Sequence, residues 1–236
     1  MGYNKDMGIF NNWYTREPRK ELDLNAPPKT GLALFFSVLW RELWELCKLN
    51  LVFLLFCIPV VTIPAAITSM SRVIMLMLMD RPVYVFSEFL ETFKKEWKRA
   101  SAAGLPFFLL VAFTLVGQYI YSSVMGLYAL QIATLLLCAL LIMAGFYLFP
   151  MLAMLDVDLR GVIKNAVLLT FLRLPYNLLA LLAVGAITFL ILLLFPSSIL
   201  IIIPIYFSLT NFITTFCAYT GLKKFVFKEE QEQQEE

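Results

Sequence analysis

Residues 104–155 read GLPFFLLVAFTLVGQYIYSSVMGLYALQIATLLLCALLIMAGFYLFPMLAML and contain no Lys, Arg, Asp, Glu or His. A bilayer-spanning helix needs about 20 mainly apolar residues, so this stretch is long enough for two such helices. A soluble domain has no comparable use for so much uncharged surface, since about a quarter of its residues are charged. The stretch therefore predicts an all-α fold of the polytopic membrane class.

The composition of the whole chain agrees with this class. Of its 236 residues, 61% are hydrophobic and 15% are charged, and the mean hydropathy is +0.80. At roughly 25 to 40 residues for each crossing and its connection, the chain has room for about five to seven helices in one domain. The formal net charge of +2 carries little meaning, because membrane proteins use basic residues to select the cytoplasmic side.

The apolar runs and their connectors predict a membrane helix bundle of about six transmembrane helices. The prolines at positions 59 and 64 leave open whether the first two cross fully or form a re-entrant hairpin. The predicted spans are 49–63, 65–79, 104–124, 127–155, 176–195 and 199–221. The remaining segments of the chain are a polar N-terminal segment (1–30), an interfacial helix (31–48), amphipathic cytoplasmic connectors (80–103 and 156–175) and an acidic, disordered tail (225–236), with a single membrane domain over 31–224.

Basic residues lie on one predicted side of the membrane. All lysines and arginines except Arg72 fall in the N-terminal region, the two connectors or the C-terminal flank. The turns at 59–64, 125–127 and 196–198 carry none. This bias predicts a multi-pass protein of the plasma membrane with both termini in the cytoplasm. The N-terminal residues show no pattern of a cleavable signal peptide.

Arg72 is the one charged residue inside a predicted span. A charge at the bilayer centre costs about 2.5 to 3.5 kcal/mol on insertion scales and usually faces a protein interior or water. Its partner could be a backbone carbonyl, the Thr62 or Ser71 hydroxyl, Gln118, Asn211 or a bound anion. The candidate polar membrane site consists of Thr62, Arg72, Gln118 and Asn211. Alternatively, Arg72 lies nearer the cytoplasmic interface and extends to the headgroups.

The first connector carries an amphipathic pattern with aromatic residues on one side and basic residues on the other. This pattern predicts a surface helix that binds anionic lipid headgroups or docks a partner protein. The candidate docking surface consists of Phe86, Phe89, Phe93, Lys94, Lys95, Trp97, Lys98 and Arg99.

The sequence lacks the common motifs of catalytic and nucleotide-binding sites. It contains no His, no G-x-x-x-x-G-K-[ST] phosphate loop and no G-x-S-x-G elbow, and its four cysteines lie far apart. We therefore expect a protein that is not an enzyme, with no catalytic residues, no metal, no cofactor and no nucleic-acid partner.

Several stretches resemble the YesL-like family of bacterial integral membrane proteins, over about residues 32–224. The most specific is NLVFLLFCIPVVTIPAA at 50–66; looser matches follow at 72–74, 86–97, 147–152 and 164–169. Family members often have glycine where this chain has Pro64. The resemblance implies a setting in Gram-positive bacteria beside carbohydrate ABC-transport and polysaccharide-utilisation genes. It implies no established activity and no functional residues.

Three functions are compatible with these observations. The leading hypothesis is an accessory or assembly subunit of a carbohydrate ABC-type import or polysaccharide-utilisation system, which docks transporter components through the connectors. A second is a small-solute transporter or channel with a polar path involving Arg72. A third is a structural or lipid-sensing membrane protein that binds anionic lipids.

Overall fold

A computed structural model describes residues 31–123, 127–195, 197–199 and 202–225. The predicted N-terminal segment, the turn at 124–126 and the predicted tail beyond residue 225 lie outside the described residues. Within the described ranges the regular elements are all helical. They are α1 (Leu32–Arg41), α2 (Leu43–Phe56), a 3₁₀ turn (Val60–Thr62), α3 (Ile63–Leu78), α4 (Val85–Ser123), α5 (Tyr128–Met154), α6 (Leu159–Leu172), α7 (Leu174–Leu193), a π-helical turn (Ile202–Tyr206) and α8 (Phe207–Phe225).

Five stretches of the described chain are helical, long and apolar enough to cross a membrane. This confirms the predicted polytopic helix bundle, with one such helix fewer than the sequence predicts. The stretches are Val60–Leu78, Val85–Ser123, Tyr128–Met154, Leu174–Leu193 and Ile202–Lys223.

The difference lies at the predicted first span, 49–63. The chain breaks at Glu42, inside the predicted interfacial helix 31–48, and α2 then runs from Leu43 to Phe56. At 1.5 Å per residue, α2 is about 21 Å long, which is short of the roughly 30 Å hydrocarbon core. It ends before Pro59 because the residue preceding a proline disfavours the α conformation.

The predicted connector 80–103 and the predicted span 104–124 form one helix. This helix, α4, has 39 residues and is therefore about 58 Å long, nearly twice the thickness of the hydrocarbon core. Its last charged residue is Arg99. The apolar half (residues 100–123) is long enough to cross the bilayer, and if it does, the charged half (residues 85–99) lies outside the hydrocarbon core.

The second predicted connector, 156–175, also differs in its boundaries. Its helix, α6, ends at Leu172, and α7 begins two residues later at Leu174. Arg173 alone separates them, so the chain turns between the two helices within one residue. The last two spans therefore start and end close to, but not at, the predicted positions.

Helix α3 is the central helix of the bundle, and most of its residues are buried. A Cβ added at Gly104 of α4 would overlap the Pro64 ring, with the Pro64 Cγ 2.9 Å away. The Ser101 hydroxyl lies 3.5 Å from the Val61 carbonyl oxygen. The start of α3 thus meets the junction between the two halves of α4, and α3 runs back along the charged half.

The fully buried Asn50 of α2 joins that helix to the start of α8. Its Nδ2 donates to the carbonyls of Ile202 (3.2 Å) and Ile203 (2.6 Å), and its Oδ1 accepts from the backbone N–H of Ser208 (2.9 Å). Ile202 and Ile203 lie in the π-helical turn, and Ser208 follows it. This turn contains Pro204 and departs from the regular α-helical pattern. The amide stabilises an irregular backbone in apolar surroundings, where unsatisfied groups are costly.

We expect Gly104→Ala to destabilise the bundle by about 1–3 kcal/mol, because its new methyl group would overpack against Pro64. Gly117→Ala, on the same helix, is the matched control, since its nearest neighbour would lie at an ordinary 3.6 Å. Thermal unfolding of both purified variants in the same detergent tests this. Equal melting temperatures would contradict the close α3–α4 contact.

We expect Asn50→Leu to destabilise the bundle by about 1–3 kcal/mol for each backbone group left unsatisfied. Ser208→Ala keeps the backbone N–H that Asn50 accepts and removes only the hydroxyl, which bonds to Ile205 O. Denaturation in mild detergent should therefore show a large loss for Asn50→Leu and a small one for Ser208→Ala. The reverse order would show that the Asn50 contacts carry little stability.

Candidate functional site

The charged half of α4 turns part of the predicted docking surface inward. Phe89 is buried and Phe93 is half-buried. Their rings pack against Phe56, with centroid separations of 5.4 Å and 4.9 Å. These two residues therefore anchor α4 to α2 and are not available to a partner.

Of the candidate docking residues, Phe86, Lys94, Trp97 and Lys98 are exposed and form no ion pair within the described residues, and we call them the exposed face. At about 100° per residue they cover roughly a third of the helix circumference. The Lys98 Nζ lies 5.7 Å from the centroid of the Trp97 ring. The exposed face thus carries two aromatic rings and two cations along about 18 Å of the helix.

The remaining predicted basic residues bind the chain that leaves α5. Lys95 Nζ lies 3.1 Å from an Asp156 carboxylate oxygen. Arg99 donates through Nη1 to the Leu155 carbonyl (3.1 Å) and through Nη2 to the Val157 carbonyl. Cations are favourable beside these carbonyls because they follow the negative end of the α5 dipole.

Arg72 meets the same end of α5. Its Nη1 donates to the Ala153 carbonyl (3.2 Å) and lies 3.1 Å from Met154 Sδ. A backbone carbonyl is one of the partners that the sequence allows. Arg72 lies beside the charged half of α4.

The other candidates for a polar membrane site lie apart from Arg72. Each makes hydrogen bonds within its own neighbourhood, so the structure does not bring Thr62, Gln118 and Asn211 together around the guanidinium group. The contacts are Thr62 Oγ1 to Phe56 O (2.7 Å) and Pro59 O (2.6 Å), Thr134 Oγ1 to Gln118 Oε1 (2.9 Å), Ser71 Oγ to Asn211 Oδ1 (3.2 Å) and Thr215 Oγ1 to Asn211 Oδ1 (2.8 Å).

A charged cavity of about 260 Å³ lies between α3, the charged half of α4 and the end of α5. Its lining includes six ionisable side chains, four acidic and two basic. They are Glu88, Glu91, Glu96, Asp156, Arg72 and Lys95. Arg72 and Lys95 are among the residues predicted from the sequence, whereas the four carboxylates are not, because a charge on an amphipathic helix usually indicates solvent exposure.

A second, apolar cavity of about 300 Å³ lies between α3, α4, α5, α7 and α8. Most of its lining is aromatic or aliphatic, and Ser71, Thr210, Asn211 and Thr214 supply its polar groups. Asn211 therefore lines this apolar cavity, and Arg72 does not.

A buried polar cluster that the sequence analysis missed joins α5, α6, α7 and α8. The Tyr147 hydroxyl and the Cys217 thiol both donate to Asn177 Oδ1, at 2.6 Å and 3.2 Å, and Asn177 Nδ2 donates to Thr170 O at 3.0 Å. These groups satisfy one another, so their role is to join the helices. The sequence feature that could have predicted this cluster is Asn177, an asparagine within an apolar run. Asn50 is a second example.

Comparison with known proteins gives one family match. Residues 46–118 match the model of a family described as "Protein of unknown function, DUF624". The match includes Asn50, Arg72 and the charged half of α4. No curated protein and no solved structure matches the chain.

We expect Arg72→Gln to lower stability by about 1–3 kcal/mol, since a charge-assisted hydrogen bond to the end of α5 is lost. Hydrogen exchange of the backbone amides at 151–157 should become faster. Arg81→Gln, which changes an exposed arginine just beyond α3, is the control and should have little effect. Unchanged exchange at 151–157 in Arg72→Gln would contradict a role for Arg72 in holding the end of α5.

Proposed function

We propose that the chain is a non-enzymatic accessory protein of a carbohydrate ABC-type import system, and that it docks a transporter component through the exposed face of α4. The observation that carries this proposal is the length of α4, which is nearly twice the thickness of the hydrocarbon core and so leaves room for the charged half outside it. Phe86, Lys94, Trp97 and Lys98 are exposed residues of that half and are available to a partner.

The exposed face is organised before any partner binds. Phe89 and Phe93 fix the charged half against α2, while Lys95 and Arg99 fix it against the chain after α5. A rigid surface loses little conformational entropy on association. Tryptophan side chains that become buried on binding are frequent hot spots of protein interfaces. We therefore expect Trp97 to be the residue that anchors the partner.

The carbohydrate setting of the proposal rests on the resemblance to YesL-like proteins. These belong to the family whose model matches residues 46–118. The resemblance implies a bacterial plasma membrane and neighbouring genes for carbohydrate import, so a permease of such a system is the expected partner. Basic residues favour the cytoplasmic side of a membrane, so we expect the charged half, with Lys94, Lys95, Lys98 and Arg99, to lie on that side.

Anionic lipid is a second partner that a specific observation favours. Trp97 and Lys98 lie within two turns of the apolar half, where aromatic and basic side chains commonly contact headgroups. In our proposal, the contact with lipid headgroups occurs together with docking of the transporter component. A transport path receives less support, because Arg72, Gln118 and Asn211 make their hydrogen bonds in separate places.

The proposal predicts that Trp97→Ala and Lys98→Glu each reduce co-purification of a carbohydrate permease by roughly tenfold or more, as truncation of a hot spot would. Both variants should also lower sugar uptake when they replace the wild-type protein in cells. Lys164→Glu, which reverses an exposed charge on α6, is the control and should retain both. Sugar uptake and permease recovery that are insensitive to these α4 variants would contradict the proposal.

A further inference from the structure

We propose that the charged cavity receives one basic side chain, lysine or arginine, from the partner protein. This inference rests on the proposed docking function and extends it from the exposed face of α4 to the neighbouring side of the same helix. Glu91 and Lys98 are seven residues apart, so a helix places them on nearly the same side. One partner segment can therefore contact both surfaces.

The cavity has room for the end of a side chain. Its volume of about 260 Å³ is several times the roughly 30 Å³ that one water molecule occupies in the liquid. Its walls come from helices that hydrogen bonds and ion pairs hold together. Arg72 connects α3 to the end of α5, and Lys95 connects α4 to Asp156.

The charges that line the cavity favour an additional cation. Lys95 pairs with Asp156 at 3.1 Å, and Arg99, outside the lining, lies 3.4 Å from Glu96. Glu88 and Glu91 form no ion pair with another residue in the described ranges. The negative end of the α5 dipole reaches the same cavity through Ala153 and Met154. An entering anion would face this excess of negative charge.

Thr92 provides an independent indication of a ligand. Its side chain lines the cavity, the residue is only 7% exposed, and its hydroxyl forms no hydrogen bond with the described residues. Among the described residues, Ser198 Oγ is the one fully buried side-chain oxygen or nitrogen without a partner, so the Thr92 hydroxyl is open to the cavity. It is therefore free to accept a hydrogen bond from a ligand. An N–H group of a lysine or arginine side chain in the cavity would donate to it while its charge lies beside Glu88 and Glu91.

The position of the cavity favours a protein over a lipid. Glu91 precedes the apolar half of α4, which begins at residue 100, by nine residues, or about 14 Å along the helix, whereas the headgroup layer is only roughly 5–7 Å thick on each side. A metal ion is also a poor fit, because the described residues contain no group of three or more acidic, His or Cys side chains placed to hold one.

The test uses the full chain in nanodiscs of neutral phosphatidylcholine, titrated with arginine amide and, as its uncharged counterpart, citrulline amide. We expect saturable binding of arginine amide by calorimetry and none of citrulline amide. Glu88→Gln and Glu91→Gln should each weaken binding at least tenfold, and Thr92→Val should weaken it several-fold. Asp158→Asn, which removes an exposed carboxylate outside the cavity lining, should leave it unchanged.

Thermal unfolding of every variant ensures that lost binding is compared only among folded proteins. Absence of arginine amide binding, equal binding of both probes, or an equal effect of Asp158→Asn would overturn the inference. If the probe fails to bind while Trp97→Ala still loses the permease, the cavity inference is wrong and the proposed function stands. If the probe binds as expected while no transporter component co-purifies, the cation site stands and the proposed function fails.

Discussion

The length of α4 relative to the bilayer is the constraint on which the rest of the structure depends. A helix of about 58 Å cannot lie entirely within a hydrocarbon core of about 30 Å if its apolar half crosses it. Its charged half must therefore stand in water or against other protein. Helix α3 lies beside that half at Arg72, α2 contacts it through Phe56, and the chain after α5 contacts it through Arg99.

Electrostatics at the end of α5 explains how charged residues are tolerated so close to an apolar bundle. Arg72 and Arg99 both donate to carbonyls in or just after the last turn of that helix. The helix end offers negative partial charge, so it stabilises cations without requiring a carboxylate inside the membrane. The carboxylates of the charged half are then partly uncompensated, and this imbalance gives the charged cavity its preference for a basic ligand.

The sequence predicts the helical membrane class and most span positions because uncharged runs of this length have few other uses. It does not predict the continuity of α4. Gly104 and Pro106 are typical of a break, yet Gly104 serves close contact with Pro64, and Pro106 lies inside the helix. The partners of Asn50 are backbone groups more than 150 positions away, which no local pattern reveals.

The distance between spin labels at Lys94 and Val116 tests the continuity of α4 most directly. The labels would be placed on a chain whose native cysteines are replaced, reconstituted in nanodiscs, and measured by double electron–electron resonance. A continuous helix predicts a Cα separation of about 33 Å, whereas a surface helix joined at a right angle near Gly104 would give about 23 Å. The longer distance, with the label at position 94 accessible to water, is the predicted result. The shorter one would contradict the account.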